Sequence, residues 1–219
     1  MRSERRDFSA LRARMVERQL RRREIGDERV LAAMEAVPRE AFVPPGLRNR
    51  AYADSALPIG EGQTISQPWI VAAICQALEL EGSERVLEVG TGSGYSACVL
   101  ACLAASVVSV ERRPQLAESA RRAIAAVGAA NIEVVVGDGS RGLPRLAPFE
   151  AIAVHAAAPA PPRALLEQLG EGGRLVAPIA AGPADVLTVF RRRGDEFTGT
   201  KIGPCRFVPL LGEEGFAGD

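Results

Sequence analysis

The chain has 219 residues, 47% of them hydrophobic and 25% charged, with 27 Lys and Arg balancing 27 Asp and Glu. That length supports one substantial core in a single domain, the composition is that of an ordinary globular chain, and the balanced charge argues neither for nor against nucleic acid. One histidine, four cysteines without a Cys-x-x-Cys pair, and no run of about 20 apolar residues predict no metal, no membrane span and a reduced, cytoplasmic setting.

Residues 9–37 read as two helices parted at Gly26-Asp27. Leu11/Met15 and Val16/Leu20 repeat at four-residue spacing, and Val30, Leu31, Met34 and Val37 form a second amphipathic pattern. Over 38–68 the periodicity disappears and Pro38, Pro44, Pro45, Pro58, Gly60, Gly62 and Pro68 accumulate, which predicts a long irregular connection of the kind that carries function. A helix is expected over 69–80. Beyond it, short β-branched runs at 85–89, 106–111, 132–137, 151–155 and 173–178 alternate with helical stretches at 95–104, 114–127 and 162–169. Such alternation predicts an α/β fold, with a mostly parallel central sheet covered by helices on both faces. Residues 186–191 and 201–210 are expected to add antiparallel strands at one edge. Cys98 and Cys102, four apart in an apolar stretch, would share one buried helix face. The expected layout is N-terminal helices and a substrate or lid segment over 9–80, a cofactor-binding core over 81–180, C-terminal strands over 181–212 and a tail over 213–219.

The chemistry gathers where strands should end. Glu88-Val89-Gly90-Thr91-Gly92-Ser93-Gly94 closes the first apolar run and opens a helix, which is where a doubly wound fold presents backbone N–H groups to a nucleotide. The third glycine stands at 94, with Tyr95 next, so the spacing is not that of the dinucleotide fingerprint. Glu111 ends the next strand seventeen residues after Gly94, close to the ~20 expected for a ribose-binding carboxylate. Asp138, in Gly137-Asp138-Gly139, ends the following one. Each acid alone reads equally well as a loop or capping residue; three in strand order after a glycine loop point to nucleotide binding.

The G-x-G-x-G spacing after an acid resembles the first motif of class I methyltransferases. A more specific match lies upstream, where Ala51-Tyr52-Ala53-Asp54 and Leu57-Pro58-Ile59-Gly60 lead into Gly62-Gln63-Thr64-Ile65-Ser66-Gln67-Pro68. This segment resembles the hallmark of protein-L-isoaspartate (D-aspartate) O-methyltransferases. The likeness continues through Val37-Pro38-Arg39-Glu40-Ala41-Phe42-Val43-Pro44, Ala156-Ala157-Ala158, Gly172-Gly173-Arg174-Leu175-Val176 and Phe207-Val208-Pro209-Leu210, over roughly residues 14–212. The resemblance implies a Rossmann-like fold, S-adenosylmethionine as cofactor, and methyl transfer to the free α-carboxylate of L-isoaspartyl residues in damaged proteins and peptides. The resulting ester collapses to a succinimide that partly reopens as aspartate, which is repair. It also implies cofactor contacts at Gln63, Thr64 and Ser66, at Glu88, Gly90, Thr91, Gly92, Ser93 and Gly94, and at Glu111, Asp138 and Gly139. Glu88 would help hold the cationic methionine end and Asp138 or its neighbouring N–H the adenine edge. Ser66 would be the catalytic positioning residue, with Thr64 and Ile65 beside the substrate. Read locally, Ser66 could equally cap the helix that starts near Pro68.

His155 stands at the end of the fourth strand, where the family more often has a small or hydroxyl residue, and is expected to face the cleft as a substrate-binding residue or as a passive hydrogen-bonded one. The rival readings are methylation of another carboxylate, as in a peptide natural product, or of RNA. Residues 1–24 carry nine arginines against four acids, which suits phosphate but suits a solvated helix face better. The fourth strand ends in His155-Ala156-Ala157-Ala158, without the Pro-Pro-aromatic motif of amino-directed DNA enzymes. Pro204-Cys205 falls in the terminal hairpin, far along the chain from the expected site. Nucleic acid is therefore not the expected partner, and a monomer is expected.

Overall fold

The computed structural model describes residues 7–217. Helix α1 (Phe8–Met15) starts at Asp7, whose carboxylate accepts the Ala10 N–H at 3.1 Å. It runs on through a wide turn, Val16–Leu20, and a tight one, Arg21–Arg23. The break expected at Gly26-Asp27 has a local cause: Asp27 caps α2 (Glu28–Ala36) by accepting the N–H groups of Arg29 and Val30. Val30, Leu31 and Met34 then form its buried stripe.

The connection that follows is more ordered than its sequence suggests. Two tight helical turns, Arg39–Phe42 and Pro45–Arg50, precede a two-stranded antiparallel hairpin of β1 (Leu57–Gly60) and β2 (Gln63–Ile65). Its turn needs the left-handed backbone at Gly60, Glu61 and Gly62, with φ of 98°, 51° and 68°. The expectation of a wholly irregular segment is corrected here. Helix α3 (Pro68–Leu78) follows, almost entirely buried.

The remaining chain alternates β3 (Arg85–Val89), α4 (Tyr95–Ala101), β4 (Ser106–Glu111), α5 (Pro114–Ala126), β5 (Ile132–Val136), β6 (Phe149–Val154), α6 (Arg163–Leu166), β7 (Leu169–Ala180), β8 (Asp185–Arg193) and β9 (Glu196–Cys205). The seven strands lie in the order β5-β4-β3-β6-β7-β8-β9, parallel through β7 and antiparallel from β7 to β9. The strands near the middle bury both faces: Val86 and Val107 enter the core under α2, α3 and α4, while Leu87, Val89 and Val110 enter the one shared with α6. This double burial is why these strands read as continuous apolar runs.

Two boundaries differ from the sequence reading. The helix expected over 162–169 shrinks to one turn, because β7 begins at Leu169 and takes in Gly170, Gly172 and Gly173. Cys102 lies at the C-cap of α4 and is exposed, whereas Cys98 is buried, so the two do not share a buried face. No helix among the described residues is long and apolar enough to cross a membrane. The fold's consequence for function lies in the sheet order: after β3 the chain builds outward through β4 and β5, then returns to β6 on the other side of β3. Ligands of open α/β sheets bind at the carboxyl ends of the strands flanking such a switch.

Candidate active site

The loop after β3 occupies that switch. The N–H groups of Gly90 and Thr91 donate to the Val110 carbonyl at 2.8 and 3.3 Å, which ties the loop to the end of β4. Gly90, Gly92 and Gly94 all have positive φ. At Gly94 the need is also steric, since a Cβ there would lie 3.0 Å from Ile124 Cγ1 on α5. Glu111, nearly buried at the end of β4, accepts the N–H groups of Gly92 and Arg113, both at 2.9 Å. Two backbone donors fix the carboxylate and leave it acceptor capacity for a pair of hydroxyls.

These groups wall a cleft of about 540 Å³, within the range of small-molecule sites. The hairpin contributes Gln63, Thr64 and Ile65, with Ser66 following; the loop contributes Gly90, Thr91, Gly92 and Ser93; other strand ends contribute Glu111, Gly139 and His155. Gly139 has no room for a side chain, as a Cβ would meet Val89 Cγ1 at 2.6 Å. Leu210 and Leu211 from the C-terminal segment close the far side.

Three residues expected to touch the cofactor do not line the cleft. Gly94 is turned into α5, as described. Glu88 is fully buried behind the loop. Its Oε2 accepts the Ser109 hydroxyl at 2.5 Å, Ser109 is hydrogen-bonded to Thr91 Oγ1 at 2.5 Å, and its Oε1 lies 3.4 Å from His155 Nε2. His155 Nε2 is also hydrogen-bonded to Ser96 Oγ at 2.7 Å. This chain of hydroxyls and an imidazole encloses the carboxyl behind the loop. Asp138 is held from outside: it accepts the Ser140 N–H at 3.0 Å, the Ser140 hydroxyl at 2.7 Å and the Glu213 N–H at 2.8 Å. Burial alone would raise its pKa, but the Glu213 and Ser140 donors, with Arg112 nearby, outweigh it and hold the carboxyl below its ordinary value. The C-terminal turn that supplies Glu213 is anchored again by Arg141 to Glu213 at 2.8 Å.

Ser66 is placed by a residue whose role sequence reasoning missed. Arg39, with no solvent exposure, donates from Nε to the Ala51 carbonyl at 2.8 Å and from Nη2 to the Ser66 carbonyl at 2.7 Å. Its guanidinium lies over the Tyr95 ring, 4.9 Å from the centroid. Burial lowers its pKa to about 10, so it stays charged at neutral pH. Helix α3 begins at Pro68 with Gln67 at the cap and no side-chain capping bond. The Ser66 hydroxyl is therefore not used as a cap. It sits where the cleft meets a second cavity, of about 460 Å³, and the two share Thr64, Ser66, His155 and Val208.

Cys205, at the end of β9 and far along the chain, lines that second cavity. Burial, reinforced by Asp185, raises the thiol to about 11, which leaves it protonated and unreactive at neutral pH.

A glycine loop at the sheet's switch point, a backbone-fixed carboxylate one strand over and a second cavity meeting the first define a Rossmann-like methyltransferase of class I. The family model described as protein-L-isoaspartate(D-aspartate) O-methyltransferase (PCMT) matches residues 11–215, and the chain belongs to this family. It is 55% identical over 211 residues to the protein-L-isoaspartate O-methyltransferase of Methanoculleus marisnigri, covering 95% of this chain and 94% of that protein. It is 52% identical to protein-L-isoaspartate O-methyltransferase 2 of Marinobacter nauticus, covering 96% and 97% respectively. Among solved structures, a protein-L-isoaspartate O-methyltransferase superposes with a TM-score of 0.83 at 29% identity, over 93% of this chain and 67% of that one. A Plasmodium falciparum structure assigned to the same activity, in complex with S-adenosyl-L-homocysteine, superposes with a TM-score of 0.78 at 25% identity, over 91% and 98%.

Proposed function

We propose that the chain transfers a methyl group from S-adenosylmethionine to the free α-carboxylate of L-isoaspartyl residues in damaged proteins and peptides. The observation that carries this reading is the junction of two cavities at an uncommitted Ser66 hydroxyl, in a chain whose family acts on isoaspartate. The cleft fits the cofactor. Glu111 is oriented to receive a ribose diol, the loop from Gly90 to Ser93 lets a ligand approach the backbone, and Gly139 leaves a flat wall for a base. Gln63 and Thr64 flank the same space, and the Glu88 carboxyl lies enclosed just behind Gly90.

When bound, S-adenosylmethionine supplies a methyl group on a positively charged sulfur, a good leaving group. A substrate carboxylate is ionised at neutral pH, so the protein need not remove a proton. Its task is orientation and exclusion of water, worth up to ~7–11 kcal/mol in favourable cases. Ser66, anchored through its carbonyl by Arg39, would orient the substrate carboxylate by hydrogen bonding, while Thr64, Ile65 and His155 wall the junction. The chain works as a single-domain monomer in the cytoplasm.

The test is methyl transfer from labelled S-adenosylmethionine to a synthetic peptide containing L-isoaspartate, beside the same peptide with aspartate and beside Ser66→Ala. Esterification of the isoaspartyl peptide alone is expected. Cofactor binding with neither peptide methylated would refute the substrate and send the search to other carboxylates and then to RNA.

A further inference from the structure

The second cavity has a charge pattern that methyl transfer itself does not require. Its walls carry Arg23, Arg206 and His155 and no acidic side chain. The two arginines differ in kind. Arg23 lies 4.9 Å over the Trp69 ring and pairs with Asp54 at 3.0 Å, and Asp54 also accepts from Gln67 Nε2 at 2.7 Å. Its charge is matched. Arg206, just past the end of β9, is exposed and has neither an ion pair nor a hydrogen bond among the described residues. Asp185, the carboxylate on the adjoining strand, accepts the Phe207 N–H at 2.8 Å instead. His155 turns Nε2 inward to Ser96 and Glu88. The cavity thus has half-buried aromatic surface from Trp69 and Phe207 and one unmatched cation at its wall.

A polypeptide whose isoaspartyl carboxylate reaches Ser66 must place its neighbouring residues somewhere, and this cavity borders that point. We propose that it receives the residues flanking the isoaspartyl group and that Arg206 selects acidic side chains among them. The proposal rests on the repair reading and adds a preference to it. Substrates damaged within acidic stretches are taken first, and those flanked by lysine or arginine last.

The experiment uses matched isoaspartyl peptides with Glu, Gln or Lys at the flanking positions on either side, assayed at low salt with the wild type, Arg206→Ala and Arg206→Glu. Arg145→Ala, an equal charge change on the exposed turn Pro144–Leu146, is the control. The wild type should favour Glu over Lys by about fivefold in kcat/KM, the scale of one exposed ion pair, chiefly through KM and less so as salt rises. Arg206→Ala should abolish the preference, Arg206→Glu reverse it and Arg145→Ala keep it. Equal rates on all three peptides in the wild type, or an undiminished preference in Arg206→Ala, overturn the assignment and leave repair intact. Failure to methylate any isoaspartyl peptide overturns both readings together.

Discussion

Replacing Arg39 by methionine removes the guanidinium while keeping most of the side chain's volume, and the structure sizes the effect. Two hydrogen bonds from a charged donor, to Ala51 and Ser66, are worth about 1.5–3 kcal/mol each, and the stack on Tyr95 about 2 kcal/mol. Against that stands the several kcal/mol needed to desolvate a buried cation, aggravated here by Arg39 Nη1, which has no partner. The difference is a net loss of roughly 2–3 kcal/mol, or about 5–10 °C in Tm for a chain of this size. Activity should fall further than stability. The Ser66 carbonyl loses its anchor, and a displacement of about 1 Å at a positioning residue can cost ~100-fold. The assay pairs a thermal melt with kcat/KM on an isoaspartyl peptide, measured well below the variant's Tm, and with calorimetric cofactor binding as a check that the sheet is intact. Arg39→Lys, which can reach only one carbonyl at a time, should fall between. If Arg39→Met keeps its Tm within 2 °C and its kcat/KM within about twofold, the claim that this arginine fixes Ser66 is wrong.

Ser66→Ala should leave Tm unchanged, because the hydroxyl has no hydrogen-bond partner among the described residues, and lower kcat/KM about tenfold; a drop in Tm would show that the hydroxyl is bonded in the fold. Glu111→Gln cannot accept from both Gly92 and Arg113 N–H through equal oxygens, so cofactor Kd should rise at least about tenfold with peptide KM little changed, as read by calorimetry and initial rates. His155→Thr should keep kcat/KM within about tenfold while lowering Tm, since Glu88 loses the neighbour of its Oε1; a larger loss at unchanged cofactor affinity would make His155 a direct substrate contact. The depressed pKa of Asp138 means that its stabilising contribution is present above its unfolded value, near ~3.9, and lost as pH falls through the lower folded one. The Asp138→Asn melt should therefore differ from the wild type at pH 7 and converge on it in acid; a constant gap across that range would contradict the linkage.

The parallel core could be read from the sequence because its strands are buried on both faces, and its acids stand where those strands stop. The hairpin of β1 and β2 could not. Strands of four and three residues, one containing Pro58, are too short to show alternation, and their turn glycines look like those of any loop. Glycines at 170, 172 and 173 hid the start of β7 for the same reason, although Gly173 sits where a Cβ would meet the Gly170 carbonyl at 2.8 Å. At the site, Glu111, Gly139 and Ser66 lie on the cleft as their positions suggested. Glu88 and Asp138 do not, because the partners that cover them, His155 and Glu213, come from sequence 67 and 75 residues away. Arg39 gave no signal, since arginine is by default an exposed residue and nothing local marks this one as buried.

The shared wall of the two cavities has a pharmacological corollary. Because Thr64, Ser66, His155 and Val208 border both, a ligand of one would lie within a side chain's breadth of a ligand of the other. A single inhibitor carrying an adenosyl moiety at one end and a short acidic peptide at the other could bridge them through a linker of few atoms. The second half would then dock at the millimolar effective concentration that a short tether confers, so two weak fragments would combine into a tight one.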